Sequence, residues 1–173
     1  MNQLILIRQL TDEDLPVIVN AFRLQGWDKS LDQFRNYLRE QSAGKREILV
    51  AEFRNEFAGY LTIVLQSKYP PFEEKSTPEI VDLNVLMVFR NRGIGTALMD
   101  AAENLISGRS DIVGIGVGLT ADYGAAQRLY IKRGYVPDGR GLFQRGNFPK
   151  YGDEITVDDD LALYLTKQVK RSL

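Results

Sequence analysis

The chain has 173 residues, a formal net charge of -1, and neither histidine nor cysteine. That length fits a single domain, residues 1–173, with a real core, and the near-neutral charge argues against a nucleic-acid partner. Without thiols or imidazoles there are no disulfides, triad hydrolases or zinc–thiolate sites, no metal is predicted, and proton transfer falls to Asp, Glu, Tyr, Lys or water.

Residues 4–10 read as a first strand. Thr11-Asp12-Glu13-Asp14 is a capping-box pattern, and Leu15, Ile18, Val19 and Phe22 recur at helical spacing behind it. Gln25-Gly26-Trp27-Asp28 breaks that helix. Ser30 with Gln33 caps a second one, which carries Leu31, Phe34, Tyr37 and Leu38 and closes at Gly44. Residues 48–53 and 58–65 read as a hairpin turning near Arg54-Asn55-Glu56, and 68–78, with three prolines, as a loop. A central strand over 80–88 runs into Arg90-Asn91-Arg92-Gly93-Ile94-Gly95. A third helix opens at once, with Ile94, Ala97, Leu98, Ala101, Ala102 and Leu105 as one apolar stripe. Gly108 ends it. Residues 112–119 alternate glycine with apolar residues, a strand whose bare face packs closely against something. A fourth helix over 125–133 stops at Gly134, a strand follows over 135–142, an irregular loop over 143–157, and a last strand over 161–166. Antiparallel strands followed by a βαβ unit predict one α/β domain. No apolar run reaches membrane-spanning length and the first ten residues are too quickly polar for a signal peptide, so a cytoplasmic protein with no membrane partner is expected.

The most informative stretch is the turn from the central strand into the third helix. Glycines there let the backbone approach a ligand, and a fresh helix presents unpaired N–H groups with its dipole. With Arg90 and Arg92 beside them, these donors suit a phosphate or pyrophosphate. Other readings stand next to this one. A glycine pair before a helix also serves tight packing. A dinucleotide fingerprint wants a third small residue where Leu98 sits. Tyr130 read bare is a core aromatic, Asp82 is either a structural acceptor or functional, and Glu79 lies at the edge of the central strand.

With those elements in that order, the chain resembles the GNAT superfamily of acetyl-coenzyme A-dependent N-acyltransferases. The family signature, Arg or Gln, two residues, Gly, one residue, Gly or Ala, is met by Arg90, Gly93 and Gly95. The downstream helix with Ala-x-x-Leu-Tyr, then Gly and an aromatic, reads Ala126-Gln127-Arg128-Leu129-Tyr130, then Gly134-Tyr135. Where relatives often carry Asn on the pantetheine arm, this chain has Tyr123. The run from Tyr123 to Tyr130, with Pro137-Asp138-Gly139-Arg140-Gly141 downstream, looks like a bacterial subgroup of the family.

The resemblance implies a GNAT fold: a mostly antiparallel seven-stranded mixed sheet, splayed between strands 4 and 5 and flanked by four helices. It implies acetyl-CoA as co-substrate, held by the turn Arg90, Arg92, Gly93, Ile94, Gly95 and Thr96, by the strand backbone of Leu86, Met87 and Val88, and near Tyr123 and Ala126. Tyr130 is implied as the acid for the coenzyme A thiolate, with Glu79 and Asp82 as candidate bases. The acceptor is a small-molecule or peptide amine, in a pocket lined by Trp27, Asp28, Phe72, Phe143, Gln144 and Phe148, and a homodimer is left open. The competing expectations are a catalytically inactive acetyl-CoA-binding sensor of the same fold and a scaffold domain that binds no nucleotide.

Overall fold

Strands β1 (Ile5–Gln9), β2 (Arg46–Phe53), β3 (Glu56–Val64), β4 (Glu79–Val85), β5 (Ile112–Gly118), β6 (Val136–Phe143) and β7 (Ala162–Gln168) form a seven-stranded sheet in the computed structural model, which describes residues 4–169. The sheet order is β1-β2-β3-β4-β5-β7-β6. The helices are α1 (Asp14–Leu24), α2 (Leu31–Ser42), α3 (Pro70–Glu74), α4 (Ile94–Ser107) and α5 (Gly124–Lys132). The sequence predicted four helices. The fifth, α3, lies inside the expected proline loop, where Pro70 opens a single turn that buries Phe72. A second correction falls on the central strand, which ends at Val85 and gives way to a 3-10 turn at Met87–Phe89. Among the described residues no helix is long and apolar enough to cross a membrane.

The chain divides into two compact units: residues up to Leu65 with Ile80–Leu105, and Gln66–Glu79 with the residues from Ile106 onward. In the first, β1, β2 and β3 run as an antiparallel meander. Arg54 and Asn55 both take positive φ (54° and 67°), giving the two-residue hairpin whose twist matches the strands. Leu15, Ile18 and Phe22 of α1 and Phe34 of α2 pack on Ile48, Val50, Tyr60 and Leu86. Ser30 caps α2, its hydroxyl accepting from the Gln33 N–H at 3.1 Å. The expected box at α1 closes by half. The Asp14 carboxylate returns to the Thr11 N–H at 2.8 Å, but the Thr11 hydroxyl donates to that same carboxylate, which also holds Arg8.

In the second unit β7 pairs antiparallel with both β5 and β6. The bare face of β5 is filled by aromatic rings. A Cβ on Gly114 would lie 2.1 Å from Phe72, and one on Gly118 would lie 2.5 Å from Tyr123. Tyr69 stacks on Tyr164 at 3.6 Å, with Phe72 and Phe143 edge-on around the pair. Gly134, at φ 87°, ends α5, and the Tyr135 N–H returns to the Tyr130 carbonyl at 3.0 Å.

Candidate functional site

The turn between β4 and α4 is built for close backbone approach. Asn91 and Gly93 take positive φ (59° and 80°), and a Cβ on Gly93 would meet no atom within 4 Å. The Ala97 N–H donates to the Gly93 carbonyl at 2.9 Å, so the N–H groups of Ile94, Gly95 and Thr96 precede the first helical bond. Arg90 lies over the Trp27 ring, 5.7 Å from its centroid, and Arg92 lies over Phe53 at 5.4 Å. Arg90, Arg92, Gly93 and Thr96 are exposed, while Ile94 is buried and anchors the helix. An anion of phosphate size fits this cradle: the donors point the same way, and no side chain fills the space above Gly93.

The residues before the cradle differ from their expected form. Leu86, Met87 and Val88 lie beyond the strand, in the turn that leads to Phe89. The Leu86 N–H donates to the Ala58 carbonyl at 2.9 Å, and the Met87 N–H to the Gln25 side-chain oxygen at 3.0 Å. Those two donors serve the fold. Met87 and Val88 instead expose their apolar side chains, Val88 by 72%. Gln25 emerges as a residue that the sequence did not single out, tying the end of α1 to this turn. Its own Nε2 is buried and is the one such side-chain atom without a partner among the described residues.

Asp82 is the hub of a polar network inside the first unit. Its carboxylate accepts from Tyr60 at 2.6 Å, Asn84 at 2.8 Å, Tyr37 at 2.9 Å, and Gln33 and Lys29 at 3.3 Å each. The residue sits at φ 57° within β4, a backbone state that a short polar side chain tolerates better than an apolar one. Burial, and then the Asp82 charge, drives the Tyr60 hydroxyl far above its ordinary value, and the same two causes lift Tyr37 to about 12. Lys29 also lies 5.7 Å from the ring centroids of both Phe22 and Tyr60.

Glu79 belongs to the second unit and has different partners. It is 7% exposed and accepts from the Ser67 hydroxyl at 2.5 Å, while Ser67 accepts from the Tyr69 N–H at 3.0 Å. Tyr130, on α5, is 5% exposed and its ring lies against Tyr135 at 5.9 Å. Burial, and secondarily Tyr123, pushes its hydroxyl well above the ordinary tyrosine value. That hydroxyl has no hydrogen-bond partner among the described residues. Tyr123 lays its ring on Gly118, its hydroxyl reaching Asp159 at 3.4 Å. Ala126, in the first turn of α5, is half-buried beside Gln127, whose amide donates to the Gly118 carbonyl at 2.9 Å.

The expected acceptor lining is distributed unevenly. Trp27 stacks on Phe22 at 5.9 Å within the first unit, with Asp28 exposed next to it. Phe72 and Phe143 are buried in the aromatic cluster of the second, with Phe148 at its rim. Gln144 donates to the Thr156 carbonyl and to Asp158 at 2.6 and 2.8 Å, bracing the loop after β6.

A strand-to-helix N–H cradle flanked by arginines, on a seven-stranded mixed sheet, defines an α/β protein with an anion-binding turn. Residues 7–135 match the Acetyltransferase (GNAT) family, and the chain belongs to that family. Solved structures agree in fold over nearly the whole chain. An acetyl transferase from Salmonella typhimurium that modifies the N-terminal serine of a 50S ribosomal subunit protein has a TM-score of 0.72 at 11% identity, covering 98% of this chain and 97% of its own. The yncA protein of Salmonella typhimurium, solved with its cofactor acetyl-CoA, has a TM-score of 0.69 at 17% identity, with 98% and 96% covered. A spermidine N-acetyltransferase chimera from Vibrio cholerae and hSSAT has a TM-score of 0.66 at 14% identity, with 96% of each chain covered. No curated protein matches the sequence.

Proposed function

We propose that this chain transfers the acetyl group of acetyl-CoA to a primary amine. The observation that carries the reading is the α4 cradle, with donor groups ahead of the first helical bond, open space above Gly93, and Arg90 and Arg92 stacked beside it. The N–H groups of Gly93, Ile94, Gly95 and Thr96 hold the pyrophosphate, and the exposed Met87 and Val88 side chains, with Leu86 beneath, border the pantetheine arm.

Acetyl-CoA supplies an already activated thioester. The amine nitrogen bonds to the acetyl carbon, the carbon–sulfur bond breaks, the amine gives up a proton, and the sulfur gains one. Glu79 and Asp82 are the carboxylates that take the amine proton, directly or through water, and Tyr130 donates toward the sulfur. Holding both reactants in place carries much of the rate. The amine is that of a small molecule or a peptide, as the different acceptors named for the two relatives above illustrate.

Calorimetry with acetyl-CoA, followed by coenzyme A release against an amine panel, tests this reading. Binding no tighter than millimolar refutes it. Tight binding with no turnover on any amine would instead identify a sensor of the same fold.

A further inference from the structure

Inside the first unit a lysine amine stands at one of the two carboxylates that the proposed reaction uses as bases. Lys29 lies between α1 and α2, and its Nζ is 3.3 Å from the Asp82 carboxylate and 5.7 Å from the ring centroids of both Phe22 and Tyr60. Its side chain is 19% exposed, so solvent reaches the amine without dispersing it. The same rings lead to the cradle. Phe22 stacks on Trp27 at 5.9 Å, and Arg90 lies over Trp27 at 5.7 Å. The Lys29 amine is therefore two stacked rings away from an arginine of the proposed cofactor turn, and all of these residues belong to one compact unit.

The bonding of Asp82 is complete without this amine. Tyr60, Tyr37 and Gln33 donate to Oδ2, and Asn84 donates to Oδ1. A carboxylate offers about four acceptor positions, which those side chains already fill. Lys29 is a further donor on Oδ1, and among the described residues its nitrogen has no other hydrogen-bond partner. What remains is an amine on a flexible stem, held by charge and ring faces beside a candidate base. An acceptor amine must take the same position to give up its proton.

Resting on the acetyl-transfer reading above, we propose that Lys29 is a self-modification site, its ε-amine acetylated by the acetyl-CoA bound to the same molecule. The Lys29 ammonium first gives one proton to Asp82, which passes it to water. The nitrogen lone pair then bonds to the acetyl carbon, the carbon–sulfur bond breaks with its electron pair on the sulfur, the nitrogen loses its second proton, and the sulfur gains one. The products are a neutral amide on Lys29 and coenzyme A. Acetylation removes the charge that held the side chain on Asp82 and over the two rings, so the amide leaves the carboxylate to its other donors.

The test incubates the full chain with acetyl-CoA and no added amine, and follows each lysine by peptide mass spectrometry. Lys29 should gain one acetyl group about tenfold or more faster than the other lysines, because its amine is already held in place. Its rate constant should not change with protein concentration. Lys29→Arg keeps the positive charge at that position, cannot take this modification, and should abolish the single turnover of coenzyme A release seen without added amine. Equal acetylation of all lysines overturns the proposal, because the amines are then reacting directly with acetyl-CoA from solution. So does a rate that rises with protein concentration, since the amine then comes from a second copy, and so does amine-free coenzyme A release that survives in Lys29→Arg. If calorimetry shows that acetyl-CoA binds and Lys29 stays unmodified, this inference falls and the cofactor site stands. If the chain does not bind acetyl-CoA, the reading beneath it falls as well.

Discussion

Replacing Asp82 with Ala removes one carboxylate and strands several donors. Tyr60, fully buried, loses an acceptor at 2.6 Å, Tyr37 one at 2.9 Å and Asn84 one at 2.8 Å, while the Lys29 ammonium loses its counter-charge. A hydrogen bond to a charged group is worth about 1.5–3 kcal/mol, and an orphaned buried hydroxyl costs about 1–3 kcal/mol more. The Asp82 side chain is 21% exposed, so water can enter and recover part of this. The net expectation is a loss of about 2–4 kcal/mol, or a fall of about 5–15 °C in melting temperature for a chain of this length. Asp82→Asn keeps the shape and tolerates the positive φ, so it should lose about half as much. Tyr60→Phe removes the shortest bond and a 3.4 Å bond from Asn84, and in the double variant most of its cost should vanish, because the Asp82 acceptor is already gone. Urea denaturation of the wild type and the four variants measures all of these terms. If Asp82→Ala stays within about 0.5 kcal/mol of wild type, the network does not hold the first unit together and the reasoning is wrong.

Tyr37, lifted from 10 to about 12, makes the protein alkali-sensitive. The unfolded chain ionises first, so its contribution is intact below pH 10, falls as pH rises from 10 to 12, and amounts to about 1–2 kcal/mol after allowance for its partial exposure, checked by melting at stepped pH, where Tyr37→Phe should lose that much less than the wild type over the same interval. Tyr130→Phe should lower the single-turnover acetyl-transfer rate by about a hundredfold to ten-thousandfold while leaving the KM for acetyl-CoA unchanged, and an unchanged rate makes Tyr130 a core aromatic only. Gly114→Ala puts a methyl 2.1 Å from Phe72 and should cost about 1–3 kcal/mol in urea, whereas Gly93→Ala meets open space, leaves the fold within about 1–2 kcal/mol, and is read by weakened acetyl-CoA binding.

What the sequence made legible was mostly local chemistry. The Ser30 cap, the Gly134 stop, the glycine turn at Gly93 and the bare face of β5 all rest on residues within a few positions of one another. The parts that escaped are either too short or too distant. α3 spans only Pro70–Glu74, below the length at which a period can be counted, and its role is to set Phe72 against Gly114. Just past the end of β4 at Val85, the Met87 N–H goes to the Gln25 side chain, a partner too distant in sequence for any spacing rule to find. Asp82 stood out as a charge in an apolar strand, but its donors come from Lys29, Gln33, Tyr37 and Tyr60, and no spacing rule gathers those positions.

With neither histidine nor cysteine, the chain builds its interior polar chemistry from phenols and carboxylates. Tyr37 and Tyr60 donate to Asp82, and Tyr69 donates to Asp138 at 2.5 Å. In these pairs burial is the first cause that raises the phenol and the carboxylate is a further one, so the proton stays on the tyrosine at working pH. Tyr130 is raised by burial as well, but it has no carboxylate to donate to among the described residues. Its hydroxyl is therefore protonated and uncommitted, which suits a donor and not a base. Raised in this way it is also a weaker acid than a free thiol. In the proposed reaction it therefore stabilises charge on the sulfur by hydrogen bonding as the carbon–sulfur bond lengthens.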